Sequence, residues 1–201
     1  VDASPAAVSG PVDAAGTVAG RVLAGPARLG PVRLLAVDGP AGSGKTTFAA
    51  RVADAVRTAG ARATVLGLDD LYDGWTGLDG TLWPRLRAQV LEPLRRGRAA
   101  RYQRYDWAAG HLAGWVDLDV PDVLVLEGCG SARRAVDALA TLTVWVEADD
   151  DVRLARGLAR DGAHERAHWL AWMALERAHF AREGTRGRAD VRLDAFGMMT
   201  T

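Results

Sequence analysis

The run Asp38-Gly39-Pro40-Ala41-Gly42-Ser43-Gly44-Lys45-Thr46-Thr47 constrains this chain more than any other stretch. It follows the apolar run 32–37, which reads as a buried strand, and precedes a helical pattern from Phe48 to about Thr58. Gly39 to Thr46 satisfies G-x-x-x-x-G-K-[ST] in the strand–loop–helix setting the motif requires, so the run is a P-loop. The chemistry accounts for the residue types. Glycine tolerates backbone angles that a Cβ forbids, which lets the loop turn its N–H groups inward around phosphate oxygens. The helix start adds partial positive charge. Lys45 reaches the β- and γ-phosphates as a flexible point charge, and the Thr46 hydroxyl supplies an oxygen ligand to Mg²⁺. Residues Gly39 through Thr47 are therefore the expected ATP cradle.

Composition singles out the same lysine. The chain has 24 Arg, one Lys, and no Ile or Asn, as a GC-rich coding sequence would give. A lysine persisting against that bias marks a position where arginine cannot substitute, and it is Lys45. The missing Asn also removes the Asn-Lys-x-Asp guanine reader, which points to ATP rather than GTP.

At 201 residues the chain suits one domain with a sizeable core. A formal net charge of zero argues for neither a nucleic acid nor a membrane surface as partner. No stretch approaches the about 18 apolar residues of a membrane span. No secretory signal is expected from the first 30 residues, and a lone Cys129 fits a reducing cytoplasm.

Three further strands alternate with helices, which implies a mainly parallel sheet. The run 63–68 ends in Asp69-Asp70-Leu71-Tyr72. Ligands sit at the carboxyl ends of such strands, so either Asp69 or Asp70 can take a proton from an attacking hydroxyl, and a carboxylate there can also hold metal. The run 122–126 ends in Glu127, the Walker B arrangement beside Mg²⁺. A fourth strand is expected over 142–147. Beyond it, Arg153, Arg156 and Arg160 share one helix face, suited to closing over a transferring phosphoryl group.

The set Gly39–Thr46, Asp69-x-x-Tyr72, Tyr105-Asp106-Trp107, Leu126-Glu127-Gly128 and Arg153-x-x-Arg156-x-x-x-Arg160-Asp161 resembles the uridine kinase and phosphoribulokinase group of P-loop kinases, over about residues 31–193. The resemblance implies Asp69 as the base, Glu127 by the metal, and Arg153 to Arg160 on a lid at about 151–163. It also implies that Tyr72, Tyr105 and Asp106 line the acceptor pocket; Asp70, from its place at the strand end, and Trp107, as an aromatic ring, are further candidate substrate contacts. Two departures stand out. The Asn- and Pro-rich block that follows Tyr72 in uridine kinases is missing, and Gly157 replaces the second Arg of the lid's pair.

Residues 101–119 read as a hairpin, with Trp75 and Trp107 as candidates to stack on a flat acceptor. Helices are expected from Thr81 to about Arg96 and from about Glu165 to Arg182. In the second, Trp169, Trp172, Met173 and Phe180 fall at core spacing. His179 and His111 read as surface or satisfied residues. His164-Glu165-Arg166-Ala167-His168 matches the zinc-peptidase helix motif H-E-x-x-H, a remote alternative lacking an evident third ligand.

The expected architecture is one α/β P-loop NTPase domain over 31–201: a mainly parallel sheet flanked by helices, a small hairpin and a helical lid. Residues 1–30 precede it with a short helix around Val12 to Ala24. The expected activity is transfer from Mg-ATP to a small-molecule hydroxyl, with a nucleoside leading. Sugars, pantothenate-like acids, nucleoside monophosphates and an acceptor-free ATPase or switch are the alternatives. A homo-oligomer is compatible with the sequence.

Overall fold

The computed structural model describes residues 13–200. Helix α1 (Ala14–Ala24) starts at Asp13, whose carboxylate accepts the N–H groups of Ala15 and Gly16 and so caps the first turn. Val12, where the sequence suggested a start, lies outside the described residues. Ala15, Val18, Ala19 and Val22 form the buried stripe of α1, which faces α2.

Strand β1 (Arg33–Asp38) leads through the glycine-rich loop into α2 (Lys45–Thr58), and β2 (Ala63–Gly67) follows. The expected extension of β2 to residue 68 does not form. Leu68–Asp70 is a single 3-10 turn instead, and it sends Asp69 and Asp70 in different directions.

Next come α3 (Leu82–Leu86), a π-helical turn (Arg87–Leu91) and α4 (Glu92–Arg95), consecutive stretches of the helix expected from Thr81. Pro93 accounts for the wide turn, because it has no N–H to donate and its ring crowds the carbonyl of residue 89. Strands β3 (Ala100–Asp106) and β4 (His111–Leu118) pair antiparallel as the expected hairpin. The chain then runs through β5 (Val123–Glu127), β6 (Ala140–Val146), α5 (Asp150–Asp161), α6 (Arg166–Glu183), α7 (Thr185–Arg188), β7 (Val191–Leu193) and β8 (Met199–Thr200).

The main sheet has the order β2-β5-β1-β6-β7-β8, parallel except for β8. Alternation along the central strands divides the core in two. Leu34 and Ala36 of β1 and Leu124 and Leu126 of β5 pack with the hairpin and the 82–95 helices, while Leu35, Val37, Val123 and Val125 pack with α1 and α2. With β1 flanked by β5 and β6, the phosphate loop stands mid-sheet. The turn after β2 lies to one side of it and the turn after β7 to the other. Among the described residues no helix is long and apolar enough to cross a membrane.

Candidate active site

The site is built outward from Asp38, a fully buried carboxylate at the end of β1. It accepts the N–H groups of Gly39 (2.7 Å), Gly130 (2.9 Å) and Ala132 (2.8 Å), and so fastens the phosphate loop to the loop that follows β5. Burial raises its pKa against the lowering effect of those donors. The sequence reading gave Asp38 no role, although its place just before Gly39 was the available signal. Gly39 itself has φ 141°, and a Cβ there would stand 2.0 Å from the Val146 carbonyl oxygen at the end of β6. Any other residue would push the loop off the sheet.

Lys45 is buried, with its ammonium donating to the Pro40 carbonyl (2.9 Å) and lying 3.9 Å from Cys129 Sγ. Burial alone would lower its pKa, but Cys129, Glu127, Glu176 and Asp38 around it outweigh that, and the net direction is up. It therefore stays charged. The Thr46 hydroxyl donates to Glu127 Oε1 at 3.1 Å. Burial pushes the Glu127 carboxyl up, and the neighbouring acids Asp69 and Asp38 push the same way. Asp69 opens to the solvent of the cavity but is ringed by protein, and this depth pushes its carboxyl up against the pull of Lys45 and Arg160. A hydroxyl and carboxylates on one cavity wall form an all-oxygen donor set, which suits Mg²⁺.

These groups line one cavity of about 920 Å³. The turn containing Phe196 lies at the β7 end, and at the β2 end stand Tyr72, Trp75 and Trp107, with Trp169 and Trp172 of α6 also on the lining. Trp75 stacks on His168 (5.4 Å between ring centres, 18° between planes) and meets Trp107 edge-on at 5.5 Å. The Trp107 indole N–H donates to the Asp69 carbonyl at 2.9 Å, tying the hairpin tip to the end of β2. Tyr72 is buried, and its hydroxyl donates to the Cys129 carbonyl at 2.7 Å.

The lid helix α5 divides its arginines. Arg156 lines the cavity and donates to the Gly42 carbonyl at 3.1 Å. Arg160 also lines it, held by two bonds to Asp161 (2.7 and 2.9 Å) and lying over the Trp169 ring. Trp169 in turn donates to Asp161 at 2.9 Å. Gly157 explains the departure from the family's Arg pair, since a Cβ there would stand 2.2 Å from the Trp169 ring. The indole occupies the space.

Several residues expected at the acceptor do not line this cavity. Arg153 was expected on the substrate-facing side of the lid, but it is buried and bonded to Glu176, Asp150 and the Ala41 carbonyl. Asp70 turns the other way from Asp69, accepting from Tyr102 at 3.2 Å and standing 3.7 Å from Arg104. Beside that carboxylate the buried Tyr102 phenol is pushed up to about 12, burial being the larger cause. Asp106 is consumed by the hairpin turn, where it accepts the Ala108 and Ala109 N–H groups. Tyr105 packs edge-on to Trp107 and supports the wall from behind.

The H-E-x-x-H reading fails on geometry. His164 lies in the 3-10 turn Ala163–Glu165 before α6, so it and His168 are not two turns of one helix. His168 Nδ1 donates to Glu165 Oε2 at 2.7 Å, and among the described residues no group of three His, Cys, Asp or Glu gathers as a metal site. His179, read as surface or satisfied, is not at the surface: it is fully buried on α6 with Nδ1 3.0 Å from Asp79. Trp169 and Trp172 are core residues, as their spacing implied, but also face the cavity.

Residues 81–173 match the model of the phosphoribulokinase / uridine kinase family, a segment that covers the hairpin and lid and starts after the phosphate loop. Among solved structures, a possible uridine kinase from Bacillus stearothermophilus is 20% identical with a TM-score of 0.66, over 90% of this chain and 97% of that one. A putative fructose transport system kinase from Silicibacter sp. TM1040 is 23% identical (TM-score 0.60, over 83% and 94%). A D-glycerate 3-kinase from Cryptococcus neoformans var. grubii is 15% identical (TM-score 0.60, over 93% and 97%). No curated protein sequence is a significant match. The resemblance read from the sequence and the α/β P-loop fold are both borne out.

Proposed function

We propose that this chain, a P-loop kinase by fold, transfers the γ-phosphoryl group of Mg-ATP to a hydroxyl of a small molecule, with a nucleoside as the leading acceptor. One observation carries the reading: Lys45, Asp69 and Arg160 line a single cavity whose β2 end is walled by indole rings. The loop amides and Lys45 hold the phosphates. Thr46 and Glu127, with Asp69 beside them, would hold Mg²⁺, which when bound neutralises charge on the β- and γ-phosphates. Asp69 accepts the proton of the attacking hydroxyl, and its burial moves its pKa upward, the direction that strengthens a base. Arg156 and Arg160 meet the charge of the phosphoryl group in transit, and Arg160 is already oriented by Asp161 and Trp169.

Charge supports the acceptor class. A phosphate or carboxylate on the acceptor needs a cation beyond those that serve ATP, and of the cations lining the cavity Lys45, Arg156 and Arg160 serve the transferring phosphates while Arg51 is paired with Asp13. Flat apolar faces and carboxylates favour an uncharged hydroxyl compound with a ring over a sugar phosphate, a glycerate-like acid or a pantothenate-like acid. The family to which residues 81–173 are similar is named for kinases of both kinds, so the acceptor class is read from the cavity.

The test is ATP consumption with Mg²⁺ against nucleosides, nucleotides, sugars and vitamin precursors, with products weighed by mass spectrometry. Nucleoside-dependent ADP and a product heavier by one phosphate are expected. Turnover only with anionic acceptors would overturn the charge argument. Hydrolysis indifferent to every acceptor would replace the kinase with an ATPase.

A further inference from the structure

Ala41, the third residue of the phosphate loop, is gripped on both sides. Its N–H donates to Glu176 Oε2 on α6 at 2.8 Å, and its carbonyl accepts from Arg153 Nη1 on α5 at 2.9 Å. The two gripping side chains are bonded to each other, Nη1 to Oε1 at 2.6 Å, and they are 4% and 1% exposed. Arg153 extends the grip to Asp150, which also accepts from Arg177 on α6 at 2.6 Å. The neighbouring loop residue is fitted to the same helix, since a Cβ on Gly42 would lie 2.8 Å from the Arg153 carbonyl oxygen.

Removing both charges from water is costly, and an apolar pair of similar volume commonly serves stability as well or better. Here the pair also bonds the two peptide groups that flank Ala41, one through its carboxylate and one through its guanidinium. The carboxylate also stands close enough to Lys45 to favour its charged form. A loop whose N–H groups are already aimed loses less freedom when phosphate arrives.

We propose that Arg153 and Glu176 are positioning residues, a buried clamp that fixes the two peptide groups flanking Ala41 and thereby presets the phosphate loop for ATP. The proposal rests on the reading of this loop as the ATP site. It makes α5, α6 and the loop one unit, so the lid's root is fixed to the phosphate loop.

The decisive variant is the double substitution R153M/E176M in the full chain, which removes the grip but fills its space. The expected result is a folded protein with a melting temperature near wild type, Mg-ATP binding weaker by at least tenfold in calorimetry, and a raised KM for ATP with kcat changed less than threefold. Hydrogen exchange without nucleotide is expected to quicken at residues 39–46. A folded double variant that binds Mg-ATP within twofold of wild type, with unchanged exchange in the loop, overturns the clamp. If the double variant does not fold, E176Q goes through the same two measurements: weaker Mg-ATP binding with faster loop exchange supports the clamp, and wild-type values of both overturn it. A wild-type protein that binds no Mg-ATP would refute the ATP site instead, and loop exchange would still decide whether the clamp presets the loop.

Discussion

Asp69 and Asp70 are adjacent and chemically identical, yet the 3-10 turn at the end of β2 gives them separate work. One faces the cavity, and the other braces the hairpin through Tyr102 and Arg104. If Asp69 is the base, Asp69→Asn should lower turnover by about 10² to 10⁴ with ATP affinity retained. Steady-state kinetics beside calorimetry would check this, and wild-type turnover would remove Asp69 from the mechanism. The P-loop residues were legible from sequence because their spacing encodes their geometry. The choice within the Asp pair was not, because strand periodicity ends at Gly67 and a single turn decides which carboxyl faces in. Asp106 misled for a related reason: an Asp at a hairpin corner serves as readily to cap the turn as to bind a ligand.

At the scale of elements, α5 and α6 meet where Gly157 lies against Trp169. Gly157→Ala should overpack that crossing and cost about 1–3 kcal/mol. For a domain of this size each kcal/mol corresponds to about 2–4 °C in melting temperature. Adding Trp169→Phe should recover part of the loss by removing the ring atoms that the new methyl meets. A G157A protein that melts with wild type would mean that the helices can separate there without cost. Strand and helix positions were mostly legible from alternation and apolar spacing, and the π-turn was missed because only Pro93 announces it. Arg153 was misread because its i+3 spacing to Arg156 predicts a shared face but not that this part of α5 is covered by α6 and the loop.

The whole molecule gathers Asp38, Asp69 and Glu127 around one lysine, and this leaves a trace in its stability. Glu127 is buried and its pKa is raised from the ordinary value of 4.5, so the folded state holds that proton more tightly than the unfolded chain does. The stability this gives is complete below the ordinary carboxylate range and is lost as pH rises through the raised value. Glu127→Gln should therefore gain in melting temperature relative to wild type as pH rises above about 4.5, and level off once the wild-type carboxyl is ionised. Mg²⁺ should raise wild type and not the variant. A constant difference across pH 4 to 8 would show that Glu127 titrates normally, about as it does in a peptide. The long-range pairing of Ala41 with Glu176, 135 residues apart, has no sequence signal at all, since only the closed fold brings α6 behind the loop.

The solitary lysine has a practical consequence for anyone handling the molecule. A protease that cuts only after lysine has one target in all 201 residues, the Lys45–Thr46 bond. That bond lies in the first turn of α2, with the lysine side chain enclosed. Cleavage must wait for the loop and that turn to open, so the rate at which one band becomes two reports how much of the phosphate site is open where reclosing outpaces cleavage, and how fast it opens where cleavage is the quicker.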